Sequence, residues 1–272
     1  MKFRSNLHGH TQFSDGKNTV EEMVQSAIQK DFVSIGISDH SYVESFPESM
    51  APEKMGPYQD EISRVKELYQ GQIEVYTGIE WDYYSDKKIL KGHTFDYVVG
   101  SVHDIKIKGE YYTVDDTPEW IEAALKALDG NEKKLCQTYY ETVMALIEED
   151  RPTILGHVDL VKKLNAGNRY FDENAQWYQN LCLEVVEVAQ KYQPVVEINT
   201  GGMARKYRKE PYPSDFMLLA LLEKEIPLTL SSDCHNAEYL DYAFDETIER
   251  LRNLGAKALV QREQNQWKEI LL

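Results

Sequence analysis

The sequence predicts an α/β fold in which parallel strands and outer helices form one barrel. Short β-rich segments alternate with segments of helical periodicity along all 272 residues, and such alternation is typical of a parallel sheet covered by helices. Seven of the β-rich segments are strong and an eighth is weak, and no Gly/Ser-rich linker or internal repeat separates them. Because a closed barrel of about 250 residues often forms one domain, we expect a single domain over residues 1–272.

The predicted strands are short runs of β-branched and other apolar residues. In chain order they cover residues 3–7, 33–37, 73–79, 97–102, 153–156, 194–198 and 228–230, with a weaker run at 258–260. The first helix begins after Thr19, whose spacing to Glu22 matches a capping box. Further helices are predicted near residues 59–69, 119–128, 134–148, 174–191, 214–224 and 241–254. The polar stretch 104–118 interrupts this alternation, and we expect a surface excursion there rather than a lid or rim element.

The charge balance argues against a nucleic-acid partner. The chain has 30 Lys and Arg against 46 Asp and Glu, a net charge of −16, and such an acidic surface repels phosphodiester backbones. No apolar stretch is long enough to cross a membrane, and the first residues lack the apolar core of a signal peptide. The three cysteines are widely spaced, which suits a reducing compartment. We therefore expect a soluble, cytoplasmic protein with a small-molecule substrate and without nucleic-acid or membrane partners; the composition specifies no oligomeric state.

The histidines share one kind of position. Six of the seven lie at or just beyond the C-terminal end of a predicted strand, and these are His8, His10, His40, His103, His157 and His235. In a parallel barrel those ends face one rim, where catalytic loops gather. The remaining histidine, His93, precedes the fourth strand and is expected to have a structural role.

Carboxylates occupy similar positions at strand ends. They are Asp15, Asp39, Glu80 and Asp233. Imidazole and carboxylate together form the ligand set of zinc, iron and manganese. On an extended chain His8 and His10 point to one face, as do Asp233 and His235, so Cys234 should point away and be buried. The pattern predicts a multinuclear metal site.

The motifs that carry these residues resemble a known family. They are HGHTQFSDG near the start, SDH at 38–40, GIE at 78–80, SVH at 101–103, GHVD at 156–159 and SSDCH at 231–235. This set resembles the PHP (polymerase and histidinol phosphatase) family, and within it the branch of stand-alone histidinol phosphatases. The resemblance runs from about residue 3 to residue 260. It implies a distorted, TIM-like (β/α)7 barrel. The sequence has no GxGxxG, GxxxxGK[ST] or GxSxG motif that would indicate a different chemistry.

The resemblance also implies three divalent metal ions at the mouth of the barrel, which could be zinc, iron or manganese. It assigns one ion to His8, His10, Glu80 and Asp233, a second to Glu80, His103 and His157, and a third to Asp15, His40 and His235. Some members of the family have histidine where Asp15 stands. The third site is therefore the one whose occupancy we expect to vary.

The activity implied by the resemblance is hydrolysis of a phosphate monoester, histidinol phosphate, in histidine biosynthesis. Paired ions can activate a bridging hydroxide for attack on phosphorus and can hold the phosphate oxygens, so Glu80 and Asp233 are expected to be essential for catalysis. Asp39 is a candidate general acid or, equally, a partner that orients His40.

Cations on the rim are expected to bind the phosphate group. Arg205 is the preferred contact because a guanidinium matches two phosphate oxygens, and Lys162 and Arg208 are further candidates. The substrate ammonium requires a carboxylate, for which the candidates are Glu44, Asp82 and Asp104. Two alternatives stay open: a PHP phosphoesterase or exonuclease acting on nucleotides or oligonucleotide ends, and a metal-binding PHP module without catalysis.

Overall fold

Parallel strands surround a central axis in the computed structural model, which describes residues 3–272. In chain order the strands are β1 (Ser5–Asn6), β2 (Ser34–Ile37), β3 (Glu74–Thr77), β4 (Glu80–Asp82), β5 (Val99–Ser101), β6 (Asp104–Ile107), β7 (Glu110–Thr113), β8 (Ile154–Leu155), β9 (Val195–Asn199), β10 (Leu228–Ser231), β11 (Ala258–Glu263) and β12 (Gln266–Leu271). Each of the eight predicted β-rich runs contains or overlaps an observed strand. The alternation of the sequence therefore located the strands.

The helices lie close to their predicted positions, except for the short helix at 201–204, which was not predicted. They are α1 (Val20–Gln29), α2 (Met55–Leu68), α3 (Pro118–Ala127), α4 (Glu132–Asp150), α5 (Gln176–Tyr192), α6 (Gly201–Ala204), α7 (Asp215–Glu223) and α8 (Phe244–Asn253). Helix α1 begins with the predicted capping box, because the Thr19 hydroxyl accepts from the Glu22 amide at 3.2 Å and the Glu22 carboxylate accepts from the Thr19 amide at 2.8 Å. Within residues 3–272 no helix combines the length and the apolar character needed to cross a membrane.

The parallel strands pair in two sheets, of order β1–β2–β3 and β4–β5–β8–β9–β10. The sheets meet at two seams, and each seam has one isolated parallel bridge: Gly9 with Cys234, and His40 with Glu80. The hydrogen-bonded ladder is thus not continuous around the barrel. Strand β3 lies within the predicted run 73–79 and β4 begins directly after that run. The two occupy one strand position, so the barrel has seven positions and is distorted at its seams.

Tyr97 packs against the break between β3 and β4. The Tyr97 side chain crosses the barrel interior and its hydroxyl donates to the Leu7 carbonyl at 2.6 Å. Any side chain at Gly78 would collide with the Tyr97 ring. Glycine is therefore required between β3, which pairs with β2, and β4, which pairs with β5. The Gly78 amide still donates to the Ile37 carbonyl at 2.8 Å, and the Glu80 amide donates to the Asp39 carbonyl at 3.1 Å, so the segment after β2 runs alongside both β3 and β4.

Two antiparallel hairpins lie outside the barrel. Strand β11, which contains the weak eighth run, pairs with β12, and within residues 3–272 it is not part of either parallel sheet. Its two-residue turn has positive φ at Gln264 and Asn265, 53° and 59°, the backbone of a type I′ hairpin. The second hairpin pairs β6 with β7 through Lys108 and Gly109, which also have positive φ. The stretch 104–118 is therefore ordered as a hairpin followed by the start of α3.

Helices cover the outside of the barrel with apolar faces. Helix α2 shows the pattern clearly, because Met55, Tyr58, Ile62 and Val65 recur every three or four residues and all are buried. Burial of apolar side chains on this side leaves the C-terminal ends of the barrel strands free to carry polar residues.

Candidate metal centre

The predicted ligands gather at the C-terminal ends of the barrel strands. They follow the C-terminal ends of six strands, β1, β2, β3, β5, β8 and β10, as the parallel topology requires. Nine side chains take part, and they are His8, His10, Asp15, His40, Glu80, His103, His157, Asp233 and His235. The distribution of histidines along the sequence is therefore explained by a single location in the fold.

The nine side chains form four overlapping groups, in each of which the possible ligand atoms lie within 4.8 Å of one another. The groups are His10 with Asp15, His40 and His235; His8 with His10 and Asp233; His8 with Glu80 and His157; and His40 with Glu80 and His103. Because neighbouring groups share side chains, the arrangement suits several ions placed close together rather than one ion.

Glu80 lies at the centre of the cluster and is 1% exposed. Its Oε1 atom is 3.0 Å from Nε2 of His157 and 3.3 Å from Nε2 of His8, and its Oε2 atom is 2.7 Å from Nδ1 of His40. Burial acts to raise the pKa of the Glu80 carboxyl, but the surrounding histidines, His40 first, hold that pKa well below its ordinary value. Glu80 is therefore an anion shared by two of the four groups, the one with His8 and His157 and the one with His40 and His103.

Buried ring nitrogens support a metal-binding role for the histidines. Among residues 3–272, the buried atoms His8 Nε2 and His10 Nδ1 make no hydrogen bond, which is costly unless another ligand satisfies them. Burial, with His235 and His40 nearby, lowers the pKa of His10 to about 3, so its ring is neutral and able to ligate. Imidazole nitrogens beside carboxylate oxygens are the donor set of zinc, iron and manganese. The residues fit divalent metal ions.

Two further carboxylates orient the ligands from behind. Glu197, on β9, accepts a bond from Nδ1 of His8 at 2.7 Å and from the backbone amide of His157 at 2.9 Å. Asp82, on β4, lies 3.1 Å from Nδ1 of His103 and accepts from the His103 amide at 3.0 Å. Carboxylates in this position fix the tautomer and direction of a ligating imidazole. Sequence reasoning missed Glu197, although an acidic residue within the apolar run of β9 was a usable signal.

Asp39 is placed differently from its expected roles. It is fully buried and accepts from the Thr11 amide at 2.8 Å, the Thr11 hydroxyl at 2.7 Å and the Ser14 hydroxyl at 2.6 Å. Burial raises the pKa of the Asp39 carboxyl despite these bonds. Its carboxylate bonds neither to His40 nor to any group of the cluster among the described residues, so it fastens the loop that follows β1.

A cavity of about 780 Å³ lies directly over the cluster. Its floor includes His40, His103 and Asp233, and its wall includes Tyr111 on β7 and Trp120 on α3. The expectation that the stretch 104–118 is a plain surface excursion is therefore wrong, because the hairpin turns back over the strand ends and forms part of the rim. The volume is within the usual range for a small-molecule site.

The comparison with known protein families agrees with this geometry. The PHP domain model matches residues 6–201 of the chain. The chain belongs to the PHP domain family. The match ends before β10, yet Asp233 and His235 come from the segment after that strand and complete the cluster.

Several known proteins are similar to this PHP chain. The histidinol-phosphatase of Bacillus subtilis is 29% identical over 264 residues, which cover 89% of this chain and 97% of that protein. The crystal structure of a Listeria monocytogenes protein, provisionally named a histidinol phosphatase, has a TM-score of 0.80 at 23% identity and covers 89% of this chain and 99% of its own. The histidinol phosphate phosphatase of Lactococcus lactis, solved with zinc, L-histidinol and phosphate, has a TM-score of 0.74 at 18% identity and covers 97% of this chain and 98% of its own. These structures share the distorted barrel fold.

The three cations expected to contact substrate lie in different environments. Arg205 lines the cavity, and its guanidinium donates to Oδ2 of Asp233 at 2.8 Å. Lys162 is fully buried away from the cavity and pairs with Asp159 at 2.8 Å. Arg208 is held by both oxygens of Glu173 at 2.8 and 2.9 Å. The structure thus brings Arg205 to the site and does not bring Lys162 or Arg208, because the buried Asp159 and the partly buried Glu173 hold these two side chains elsewhere.

Lys163 reaches the cavity in place of its neighbour Lys162. It lines the cavity wall, and its ammonium donates to Asp115 at 2.8 Å. The 3-10 turn after β8 directs the two consecutive lysines to opposite sides, a distinction that the sequence motif does not contain. Lys163 is a second cation on the wall of the cavity.

Two residues set aside by the sequence reasoning lie outside the cluster. His93 has its Nδ1 atom 2.8 Å from Oε1 of Gln59 and belongs to none of the four groups. Cys234 is buried, with its sulfur 3.8 Å from the side-chain Nδ2 atom of Asn6. Burial raises the pKa of its thiol to about 11. Both placements agree with structural roles.

Proposed function

We propose that this protein is a metal-dependent phosphatase that hydrolyses histidinol phosphate to histidinol and phosphate. The observation that carries the proposal is the convergence of nine ligand side chains on the floor of a cavity whose wall carries Arg205 and Lys163. A phosphate monoester combines oxygens that ligate cations with a group that a guanidinium can bind. The Bacillus subtilis relative, similar over 97% of its own length, carries the name of this activity.

Three divalent ions, of zinc, iron or manganese, are proposed as the metal content. The family resemblance implies a first set of His8, His10, Glu80 and Asp233, a second of Glu80, His103 and His157, and a third of Asp15, His40 and His235. All of these side chains belong to the four overlapping groups of the structure. Ions held there would supply Lewis acidity and lower the pKa of a bound water. Glu80 and Asp233 would serve as anionic ligands, and the third set has its own short contact, 2.9 Å between Asp15 and His235.

Arg205 is the proposed phosphate contact. Its Nη2 atom is held by Asp233 and its Nη1 atom lies 3.1 Å from Nδ1 of His235, so the guanidinium is fixed at the edge of the metal cluster. Burial acts to lower the pKa of Arg205, but Asp233 raises it, and the side chain stays charged. A fixed cation at this edge can bind phosphate oxygens that point away from the metal ligands.

Asp104 is the proposed contact for the substrate ammonium. Asp82 already accepts from His103 and from the Tyr84 amide at 2.7 Å, and Glu44 is exposed and does not line the cavity. Asp104 lines the cavity, is 5% exposed and accepts a hydrogen bond from Ser45. No Lys or Arg of residues 3–272 pairs with it, so a cation from the substrate would satisfy a buried carboxylate.

The test is a comparison of substrates with metal-loaded protein. We expect kcat/KM for histidinol phosphate to exceed that for p-nitrophenyl phosphate and for a nucleoside monophosphate by at least about 100-fold, since a site that reads an amine rejects esters without one. Equal kcat/KM values for the three esters would overturn the specific activity. Release of nucleotides from single-stranded DNA ends would replace it with an exonuclease, and we do not expect such release from a chain of net charge −16.

A further inference from the structure

Gly201 is the first residue of α6 and has no space for a side chain. A Cβ atom built there would lie 2.8 Å from Nη2 of Arg205, 2.9 Å from Oδ2 of Asp233 and 3.0 Å from Oδ1 of Asn199. Cβ atoms in proteins do not approach other atoms this closely, so at least one of the three side chains would have to move. All three are polar and buried or partly buried.

Arg205 reaches Asp233 by folding back over Gly201. The Arg205 amide donates to the Gly201 carbonyl at 3.0 Å, which closes the single turn of α6. Residues four apart on a helix lie on the same face, so the Arg205 side chain passes over position 201 on its way to Oδ2 of Asp233, 2.8 Å away. A methyl group at that position would occupy the space that the guanidinium uses.

Gly201 also takes part in a series of buried hydrogen bonds that leads to His8. Its amide donates to Oδ1 of Asn199 at 2.8 Å, and Nδ2 of Asn199 donates to Glu197 at 2.9 Å. Glu197 in turn holds Nδ1 of His8 at 2.7 Å. The main chain at Gly201 is thereby fixed relative to the cluster, and the position of the guanidinium is fixed with it.

The next glycine has a different neighbour. The three atoms nearest to a Cβ atom at Gly202 would all belong to Tyr212, at 2.8 to 3.0 Å. Gly56, in α2, would gain a methyl group with nothing within 4 Å. Of these three glycines, Gly201 is the one whose nearest neighbours include Arg205 and Asp233.

We propose that Gly201 is a positioning residue for Arg205. The absence of a side chain at 201 lets the guanidinium lie against Asp233, where its remaining N–H groups face the phosphoryl group of the substrate. The inference rests on the proposed function only in taking Arg205 as the phosphate contact. It adds that the phosphate-binding geometry depends on a residue that touches neither phosphate nor metal.

The experiment is a double-mutant cycle on metal-loaded protein with G201A, R205A and the double variant G201A/R205A, with G56A as the matched control. Phosphate affinity is measured by calorimetry with inorganic phosphate, kcat/KM with histidinol phosphate and p-nitrophenyl phosphate, and metal content by elemental analysis. We expect G201A to lower phosphate affinity and kcat/KM about 10- to 100-fold, as loss of a charge-assisted hydrogen bond would. G201A should keep the metal content of the wild type. The G56A variant should match the wild type in phosphate affinity, kcat/KM and metal content.

The proposal is tested by comparing the effect of G201A in the wild-type background with its effect in the R205A background. Adding G201A to R205A should cost less than about 2-fold, because the guanidinium that Gly201 positions is already gone. Equal effects of G201A in both backgrounds, wild-type values in G201A, or loss of metal from G201A would overturn the proposal. Inorganic phosphate keeps the cycle readable even if histidinol phosphate is not the substrate.

Folding gives a second test if G201A does not fold. Removal of the guanidinium relieves the 2.8 Å approach to Nη2 of Arg205, so G201A/R205A should recover a cooperative thermal transition. Failure of both variants to fold would show that the approaches to Asp233 and Asn199 require the glycine without Arg205, and would overturn the positioning role.

Discussion

Replacement of Glu80 by glutamine tests the metal centre most directly. The substitution keeps the volume of the side chain and removes one negative charge. Five histidines have a ring nitrogen within 3.5 Å of the Glu80 carboxylate, and they are His8, His10, His40, His103 and His157. An amide has one acceptor oxygen, and its NH2 group would face ring nitrogens or cations. The variant should fold, because the change is isosteric, but bind its metals poorly.

The magnitude follows from the position of Glu80. Loss of a carboxylate that only orients a ligating histidine typically costs 10–100-fold in metal affinity or activity. Glu80 faces histidines of two adjacent groups of possible ligands, so its loss affects two ions at once. We expect metal affinity to fall by at least about 100-fold and kcat to fall by a similar factor or more.

The assay separates binding from turnover. Elemental analysis of dialysed E80Q gives the metal content, and kcat is then measured after metal is restored to the wild-type level. The matched control is H93N, since His93 contacts Gln59 and lies outside the cluster; it should retain wild-type kcat. A near-normal kcat for E80Q at equal metal loading, or a large loss in H93N, would refute the assignment of Glu80.

Three further outcomes follow from the geometry. Glu197→Gln should lower metal affinity about 10- to 100-fold through His8, measured by competition with a chelator, and unchanged affinity would contradict the orienting role. Asp104→Asn should lower kcat/KM for histidinol phosphate and leave p-nitrophenyl phosphate unaffected; a parallel loss for both esters would argue against ammonium recognition. Burial acts to lower the pKa of His103, but Glu80 raises it to about 10 in the metal-free protein. Because ligation requires a neutral ring, metal binding should release protons and become tighter as pH rises from 6.5 toward 10; calorimetry in buffers of different ionisation enthalpy that detected no release would contradict this.

The sequence was sufficient to place the nine candidate side chains in one cluster, because they follow the ends of parallel strands. Parallel strands converge on one rim whatever the details of the loops, so strand periodicity and the positions of His40 and His157 together predict their proximity. The prediction of side-chain directions was less accurate for the segment 233–235. It assumed an extended chain, whereas Asp233 has a left-handed backbone with φ of 48°. The positions of both side chains therefore depend on a turn that alternation does not describe.

The cationic residues could not be ranked from the sequence. Lys162 and Lys163 are adjacent, and only the turn after β8 decides that one pairs with buried Asp159 and the other faces the cavity. Arg208 is likewise held away from the cavity by its ion pair with Glu173, which lies 35 residues away in the chain. Long-range ion pairs of this kind depend on tertiary contacts. The hairpin of residues 104–113 was missed for a related reason, since its polar strands resemble a loop and only its Lys108–Gly109 turn marks a hairpin.

The order of the ligands along the chain has a consequence for biosynthesis. His8 and His235 lie 227 residues apart, and at ribosomal rates that interval takes about 10 to 45 s. Until the last strand emerges, early ligands such as His10 have neither Asp233 nor His235 beside them, and any ion captured by the nascent chain is held by an incomplete set. Full coordination is a property of the finished barrel, so the nascent chain passes through a period in which its earliest histidines are exposed to whatever cations the surrounding solution contains.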